Sequence, residues 1–562
     1  MSVMFFDLSM KRLLLFKFLN QGLFFIILLF LGSLLSGCSN SPGDDTSLRA
    51  RDQLRIGTTM GIKRVNPLTD YYYNILALIM THDSLVRFDP EVRVVPQLAE
   101  RWRCSEGGRV WRFWLVPGAR WHDGYPVTAD DIKFTFEYLA QKDVNSSWIA
   151  DLIEDIEING RELTFRLKKP YSRFLINAGF IVRILPKHIW QGIGDPRKFV
   201  GKEATIGCGP YVFKTFDRRI GTIRFEVNKD YYGKVPSVSR VSFYLYKNMD
   251  VLTMAFLKNK IDTYYKYAAG YPFQYIGRLR KSNDLGFLEA LSMGVPAALG
   301  FNISHEPFDQ KKIREAIALA INYERINQCI FGGEGQIPSQ GFVPPVFPFW
   351  KETAKLTYDP EQSMRLLLSE GLEDRDGDGV REFLNGKKWG ISLLARADLW
   401  GEDQLIKLLV NDLRAVGLRA VVRSVDLSTW IALLQDGRYD MVLFRTTPWG
   451  MMMHAGYASG YFDSRRKGGG VIGNLTDPDF LQLCDRILTT TDPSYLKELY
   501  HRLQDYYAQH LPAVALCWGK NIYPFRKNWQ GFRVHQLEGG LANRFSWRFL
   551  KYVELSTSGE SR

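Results

Sequence analysis

An amphipathic helix that ends at a glycine and leads into a strand is the pattern that most restricts the fold of this chain. Residues 403–417, "DQLIKLLVNDLRAVG", place apolar side chains at helical spacing and end at Gly417. The next residues, "LRAVVRSVDL" (418–427), carry the β-branched side chains typical of a strand. In a second helical stretch, four small or apolar residues share one face: Ile313, Ala316, Ile317 and Ala320. This alternation of helices and strands predicts α/β lobes.

The length of the chain requires more than one lobe. At 562 residues it exceeds the roughly 250–300 residues at which a single hydrophobic core stops growing. Its composition, 46% hydrophobic and 24% charged, is that of a globular protein. The net charge of +13 is spread along the chain, and no basic run is longer than residues 465–467. We therefore expect a solvated basic surface near a membrane and no nucleic-acid binding.

The N-terminal residues indicate export from the cytoplasm. Two basic residues precede an apolar run at 23–35, which is short for a membrane span and typical of a secretion signal. The run leads into "LSGC", which ends at Cys38 and resembles the bacterial lipobox. This resemblance implies a lipoprotein signal peptide at 1–37, lipidation of Cys38 and a tether at 38–49; an uncleaved signal anchor is the alternative. We expect the body of the protein at the periplasmic or cell-surface face of a bacterial membrane.

The stretch 118–139, "GARWHDGYPVTADDIKFTFEYL", contains the residues most suggestive of catalysis. His122 and Asp123 could form a catalytic dyad, but no nucleophile pattern lies nearby. Thr128 and Asp131 have the spacing of a capping box at the start of a helix, which gives the acidic residue a structural role. The chain also lacks the patterns of phosphate-binding loops, zinc proteases, serine hydrolases, dinucleotide sites and CxxC motifs. We predict a scaffold here, with no catalytic residue, metal or cofactor.

Eight segments in a fixed order carry a resemblance to a known family. They lie at 96–139, 184–190, 206–214, 228–243, 259–265, 299–326, 358–372 and 412–444. Together they are similar to the family 5 extracellular solute-binding proteins, the receptors of peptide and nickel ABC importers. A single motif of this set is weak, but eight in family order along most of the chain are specific.

The resemblance implies an α/β architecture: a two-lobed periplasmic-binding-protein fold of type II, the large peptide-binding class, with an extra N-terminal subdomain. The ligand is expected between the lobes, which close around it by a hinge motion. The implied boundaries divide the chain into an N-terminal lobe, an inserted subdomain and a C-terminal lobe: 50–83 with 205–297 and 521–557, 84–204, and 298–520.

The segment after the strand "DGRYDMVLF" lines the cleft in members of this family. Peptide-binding members typically place an aspartate there to pair with the α-amine of the ligand. This chain has Met451, Met452, Met453 and His454 instead, and its first aspartate is Asp463. We interpret the methionines as an apolar pocket wall or a core plug rather than as metal ligands.

The residues expected to contact ligand come from both lobes. Arg445 is the candidate for binding a carboxylate of the ligand. The other candidates of its lobe are Trp449, Met451, His454 and Tyr457. On the facing lobe, tyrosines fall where family members approach the ligand: Tyr71, Tyr72, Tyr264 and Tyr265.

An acidic loop, "DRDGDGVRE" (374–382), resembles the first part of an EF-hand loop. It has acidic residues at positions 1, 3 and 5 and glycine at position 6. The twelfth position is Asn385 rather than glutamate, so we expect a solvated turn, with a calcium site as the alternative.

The function implied is that of a lipid-anchored solute receptor of an ABC importer, with peptide as the leading ligand. The alternatives are a receptor of the same family for nickel or a metal chelate, and a sensory lipoprotein that passes its ligand state to a signalling partner. The expected partners are a peptide or small-molecule ligand, the ABC permease subunits and the membrane through the lipid anchor. The protein is expected to be a monomer.

Overall fold

The structure is a computed structural model that describes residues 53–142, 148–267, 269–399, 401–453, 459–465 and 472–554. At 452, 453, 459 and 460 only the backbone is described. The strands are β1 (Gln53–Thr58), β2 (Val86–Phe88), β3 (Val94–Pro96), β4 (Ala99–Ser105), β5 (Val110–Leu115), β6 (Ile153–Asn159), β7 (Glu162–Leu167), β8 (Tyr211–Asp217), β9 (Thr222–Val227), β10 (Arg240–Leu245), β11 (Thr263–Tyr264), β12 (Leu285–Leu291), β13 (Ala297–Phe301), β14 (Gly390–Arg396), β15 (Arg419–Val425), β16 (Met441–Phe444), β17 (Ala513–Cys517), β18 (Lys520–Arg526), β19 (Trp529–Gln530) and β20 (Lys551–Tyr552).

The α-helices are α1 (Tyr71–Met80), α2 (Ala129–Lys142), α3 (Trp148–Leu152), α4 (Lys187–Trp190), α5 (Met249–Leu257), α6 (Phe273–Leu279), α7 (Lys311–Ala320), α8 (Tyr323–Phe331), α9 (Pro360–Ser369), α10 (Glu402–Ala415), α11 (Leu427–Gln435), α12 (Pro448–Met453), α13 (Ser459–Phe462), α14 (Pro478–Thr489), α15 (Pro493–His510) and α16 (Arg544–Trp547). Short 3₁₀ turns lie at Glu106–Gly108, Pro196–Lys198 and Glu203–Thr205, and a π-helix at Leu175–Ile181. Within the described ranges, no helix combines the length and the apolar character needed to cross a membrane.

Two large mixed sheets form the two lobes. In the described chain the first sheet has the order β12-β18-β11-β1-β10-β9-β8, with β1 parallel to both of its neighbours. The second sheet has the order β15-β14-β16-β13-β17, and β14 is parallel to β15 and β16. Apolar cores pack on both faces of the first sheet, and the second sheet lies between a core of its own and one shared with the inserted region. An antiparallel sheet, β4-β5-β7-β6, lies in the predicted inserted subdomain.

The strand after Gly417 confirms the helix–glycine–strand prediction. Helix α10 ends at Ala415, Gly417 adopts a φ of 82°, and β15 begins at Arg419. Glycine takes this left-handed conformation without steric cost, which lets the chain reverse directly into the parallel strand.

The stretch 311–326 differs from a single helix. Its four predicted core residues are buried, but α7 ends at Ala320 and a new helix begins at Tyr323. Asn322 separates the two because its side-chain oxygen accepts the Arg325 N–H at 2.8 Å. An asparagine that caps a helix in this way favours a new start over continuation.

Two crossing segments connect the lobes side by side. Ser292 N donates to Gly519 O at 2.9 Å, which joins the connection after β12 to the connection before β18. Gln536 ties the same crossing to the first lobe, since its Nε2 donates to Leu291 O and its Oε1 accepts from Met293 N, both at 2.6 Å. These short connections are where a change in lobe angle would be absorbed.

The region 118–131 is scaffold. The capping box is present: Thr128 N donates to Asp131 Oδ2 at 2.8 Å, and Asp131 N donates to Thr128 Oγ1 at 3.4 Å. His122 does not pair with Asp123. Its Nε2 lies 3.0 Å from Gly209 O and its Nδ1 accepts from Gly207 N at 3.3 Å, so the ring is used to hold the backbone.

His122 should make the fold sensitive to acid. Burial lowers the pKa of its ring to about 4. The unfolded chain takes up this proton near pH 6.5, so stability should decrease as the pH falls from about 6.5 to about 4, by about 3 kcal/mol. Urea unfolding at a series of pH values measures this slope, and His122→Gln should reduce it.

Four other histidines contribute to the slope in both proteins, because burial also lowers the pKa of His82, His501, His510 and His535. The informative quantity is therefore the difference between the wild type and His122→Gln. His305→Gln, at an exposed position, is the matched control. Equal slopes in the wild type and His122→Gln would contradict the assignment.

A buried ionic network closes the first lobe. Arg544, at the start of α16, forms an ion pair with Asp83, and both side chains are at most 2% exposed. The guanidinium also donates to Leu78 O through Nε at 3.0 Å and Nη2 at 2.6 Å. Tyr231 and Tyr232 donate to the other oxygen of Asp83, at 3.1 and 2.5 Å. The network thus joins the C-terminal segment to the end of α1.

Candidate functional site

Trp449 connects the second lobe to the rest of the molecule. It lies in α12, just after β16 of the second sheet. Its indole Nε1 donates to Leu537 O, and its backbone N donates to the Tyr267 hydroxyl at 3.3 Å. The ring meets Tyr267 edge-on at 5.6 Å and Phe180 at 5.4 Å. Phe180 lies in the π-helix that follows the antiparallel sheet, so one indole touches three parts of the fold.

Tyr71 and Tyr72 lie at the first turn of α1. Asp70 caps this helix by accepting the Tyr73 N–H at 2.9 Å, and its second oxygen accepts the Lys63 N–H at 2.9 Å. The Tyr71 ring is 66% exposed, yet the surrounding walls desolvate its hydroxyl and raise its pKa, with a further increase from Tyr72. Arg396 of the second lobe acts in the opposite direction. Tyr71 therefore lies near enough to the second lobe for the charge of Arg396 to act on it.

Arg445 extends from the end of β16 and is held by a buried glutamate. Its Nη2 lies 3.2 Å from Glu402 Oε2, and the Glu402 side chain is 3% exposed. Burial raises the pKa of Glu402, and the Arg445 charge opposes this rise. Arg396 lies alongside and pairs with Asp398 at 2.6 Å. The guanidinium of Arg445 is thus oriented by a carboxylate beneath it, and 36% of the side chain is open to solvent.

Lys266 approaches Arg445 from the first lobe. It follows β11, two residues after Tyr264. The residue is exposed, yet the surrounding protein partly desolvates its ammonium and lowers its pKa; the Arg445 charge lowers this pKa further, whereas Asp398 raises it. Among the residues that the structure describes, no acidic side chain lies within 4.0 Å of Lys266 Nζ. We call this region the interlobe site: Tyr71, Lys266, Tyr267, Arg396, Arg445 and Trp449.

The structure brings only part of the predicted residue set to this site. Tyr71, Arg445 and Trp449 are there, and the Tyr72 ring packs edge-on against Tyr71 at 5.3 Å. Tyr264 and Tyr265 are 2% and 1% exposed, and their rings lie in the cores on the two faces of the first sheet. They are buried because adjacent residues of a strand point to opposite faces and helices cover both.

The remaining predicted residues are either buried or not described. Met451 is completely buried in the core shared by the second lobe and the inserted region, as an apolar plug would be. Cys38, His454 and Tyr457 lie outside the described residues, as do the side chains of Met452 and Met453. Their roles stay predictions.

Three residues of the interlobe site were not predicted, Lys266, Tyr267 and Arg396, and neither was Glu402, which holds Arg445. A single lysine after a strand and a glutamate at a helix start carry no motif, so their role depends on which chain segments meet in space. The predicted pair, Tyr264 and Tyr265, lies at the end of the correct strand, but the residues that reach the site are the next two, Lys266 and Tyr267.

Comparison with known proteins places this arrangement in a family. Residues 93–468, well over half of the chain, match the profile of the bacterial extracellular solute-binding proteins, family 5 Middle. The chain belongs to this family. The predicted resemblance is therefore confirmed, and the family consists of solute-binding receptors, so this family 5 protein is not an enzyme.

The relatives of this family 5 protein include receptors with different ligands. The oligopeptide-binding protein AppA of Bacillus subtilis (strain 168) is 22% identical over 468 residues, which cover 81% of this chain and 84% of that protein. The nickel-binding periplasmic protein of Escherichia coli (strain K12) is 26% identical over 417 residues, covering 70% and 75%. The structure of NikA from Brucella suis in complex with Fe(III)-EDTA matches with a TM-score of 0.79 at 19% identity, over 89% of this chain and 100% of that one. The two-lobed fold is thereby confirmed.

Proposed function

We propose that this family 5 protein is an extracytoplasmic receptor of an ABC importer that binds a carboxylate-bearing solute, most favourably a peptide, between its lobes. The observation that carries the proposal is the approach of Lys266 and Arg445 from opposite lobes. Two positive groups near each other repel. A ligand anion between them turns this repulsion into attraction.

This arrangement couples ligand binding to closure. A ligand shifts a conformational equilibrium only through its different affinities for the two states. An anion at the interlobe site gains contacts from both lobes when they meet and from one lobe when they are apart. The contacts of Trp449 with Tyr267, Leu537 and Phe180 then belong to the closed form, which the permease would recognise.

Peptide as the leading ligand is supported by relatives such as AppA, named for oligopeptide binding. Charge-assisted pairing with lysine and arginine suits the C-terminal carboxylate of a peptide. Peptide-binding members typically have an aspartate after the strand "DGRYDMVLF", and this chain has methionines and His454 there instead. The peptide amine must therefore be bound differently from the usual ion pair. His454 remains the proposed residue at that end.

A metal chelate is the second candidate. The nickel-binding relative is 26% identical, above the peptide-binding relative described here. A chelate with carboxylate groups would use the same two cations, since the described part of the interlobe site offers positive charge rather than unoccupied metal ligands. The two candidates therefore share the anion contact and differ in what the methionine and histidine segment binds.

Location and boundaries complete the proposal. Lipidation at Cys38 would hold the protein, as a monomer, at the outer face of a bacterial membrane beside its permease subunits. The proposed lobes are 50–83 with 205–297 and 521–557, and 298–520, with the subdomain at 84–204. The sheets support this division: β13 begins at Ala297 and β18 at Lys520, each one residue before the proposed lobe boundary.

Replacing Lys266 by glutamine should weaken the binding of a peptide with a free C-terminus by about 10- to 100-fold, the value of one charge-assisted hydrogen bond. Native mass spectrometry of the purified protein identifies the co-purified ligand, and tryptophan fluorescence titration measures its dissociation constant. Lys260→Gln, at an exposed position of the same lobe, is the control.

A change in the ligand provides a second test of the same contact. Amidation of the peptide C-terminus should weaken binding to the wild type as much as Lys266→Gln does. It should weaken the binding of the peptide to the Lys266→Gln variant only slightly further. Equal affinities for the acid and the amide would contradict carboxylate binding at this position. A co-purified mass containing nickel or iron would favour the chelate.

A further inference from the structure

An acidic loop of the second lobe has the geometry of a cation site that solute binding does not use. Asp374, Asp376, Asp378 and Glu382 each offer one carboxylate oxygen, and these oxygens all lie within 4.8 Å of one another. Ca²⁺ binds oxygens at about 2.3–2.6 Å, so oxygens on opposite sides of one ion lie about 5 Å apart. The four oxygens already have the spacing of ligands around a single calcium ion.

Glu382 distinguishes this loop from an ordinary acidic turn. Its side chain is 4% exposed, whereas the three aspartates are exposed. Glu382 Oε2 accepts the Arg375 N–H at 2.8 Å, but Oε1 is buried and has no hydrogen-bond partner. A buried carboxylate oxygen without a donor is costly, and it faces the other acidic side chains. Such an oxygen is satisfied by a cation at the centre of the loop.

The ammonium of a lysine occupies part of the space between the carboxylates of the loop. Lys388 Nζ contacts Asp378 Oδ2 and lies 2.8 Å from Asp376 Oδ2, but it is 3.9 Å from Glu382 Oε1, beyond hydrogen-bond distance. The hydrogen bonds that the Lys388 ammonium donates to Asp376 and Asp378 raise its pKa. A single ammonium therefore offsets only part of the negative charge of the outer carboxylates and leaves the buried oxygen of Glu382 without a donor.

We infer that the loop 374–382 binds Ca²⁺ through Asp374, Asp376, Asp378 and Glu382, and that the ammonium of Lys388 competes with the ion for this position. Four carboxylates are hard oxygen ligands, which calcium accepts at flexible geometry. Mg²⁺ requires shorter bonds in a near-ideal octahedron, so the same loop should bind it poorly. Glu382, at the ninth position of the loop, takes the place of the glutamate that an EF-hand has at the twelfth.

The ion would stabilise the second lobe rather than the interlobe site. Arg381, beside Glu382, donates its backbone N–H to Gly417 O at 2.9 Å, and its Nε to Val416 O at 2.8 Å. These bonds attach the loop to the end of α10, whose other end carries Glu402 beneath Arg445. Calcium binding thus stabilises the lobe on which the Arg445 guanidinium is positioned.

Isothermal titration with CaCl₂ and thermal unfolding in 1 mM Ca²⁺ or EGTA test the site on the purified protein. We expect one ion to bind with a dissociation constant of about 10⁻⁴ M, within the weaker range of extracellular calcium sites. The unfolding midpoint should rise by about 3 °C in Ca²⁺ and should not change in equal Mg²⁺.

Two substitutions make the result specific. Lys388→Gln removes the competing ammonium and should tighten Ca²⁺ binding about tenfold, whereas Asp378→Asn should weaken it about tenfold. Lys387→Gln, the neighbouring exposed lysine, is the matched control and should bind like the wild type. The inference is overturned if Lys388→Gln binds no Ca²⁺ at 1 mM, or if Asp378→Asn binds it as tightly as the wild type.

Discussion

Replacing Arg544 by methionine should lower the free energy of unfolding by about 4 kcal/mol, because it leaves the buried Asp83 without its cation. Asp83 is completely buried, and after the change only the hydroxyls of Tyr231 and Tyr232 would solvate its charge. The substitution also removes the hydrogen bonds that the guanidinium donates to Leu78 O, which join the C-terminal segment to α1. A loss of this size is a large part of the total stability of a typical protein, about 5–15 kcal/mol. Urea unfolding followed by circular dichroism measures it.

Two further variants identify the cause of the loss. Arg548→Met removes a neighbouring half-buried arginine that stacks on Phe545 at 5.4 Å, and it should cost less than about 1 kcal/mol. Asp83→Asn in the Arg544→Met background should restore part of the stability, because it removes the uncompensated charge. A loss below about 1 kcal/mol in Arg544→Met would show that the ion pair does not hold the first lobe together.

The proposed closure predicts that replacing Trp449 by alanine weakens ligand binding about 100-fold, because the indole then supplies contacts that exist only when the lobes meet. It removes the hydrogen bond to Leu537 O and the ring contacts with Tyr267 and Phe180. A hundredfold change corresponds to about 2.8 kcal/mol, reasonable for an aromatic side chain at the centre of an interface. Fluorescence titration or calorimetry with the co-purified ligand measures the effect.

Trp449→Phe is the matched control for this prediction. It keeps an aromatic ring against Tyr267 and Phe180 but removes the indole donor, so we expect an intermediate loss of about tenfold. Small-angle scattering with saturating ligand should give a larger radius of gyration for Trp449→Ala than for the wild type. An unchanged affinity in Trp449→Ala would exclude this indole from closure.

Most of the fold could be predicted from the sequence, because the patterns that indicate it are local. Helical spacing at 403–417, the glycine that ends it and the β-branched residues after it predicted α10 and β15 in the right order. Thr128 and Asp131 predicted the capping box in the same way, since the two residues meet within one helical turn. The break at Asn322 was missed because the apolar spacing continues through it, whereas the cap depends on a single side chain.

Only part of the candidate site could be predicted from the sequence, because its residues are distant in sequence. Arg445 and Trp449 came from a segment that the family uses to line its cleft. Lys266 was missed, although it lies beside Arg445, because a lysine after a strand is common and its meaning comes from the opposing charge. Tyr264 and Tyr265 show the converse: their sequence suggests a binding wall, and the helices on both faces of the sheet bury them.

The sequence by itself determined the α/β class, the family and the order of the elements, since these depend on short-range spacing repeated along hundreds of residues. Only the tertiary structure decided which charges face each other. Lys266 approaches Arg445, Lys388 enters the acidic loop, and Arg544 reaches Asp83, all across separations that no local pattern records. Electrostatic energy depends on distance in space and on burial, and both arise only when separate segments pack together.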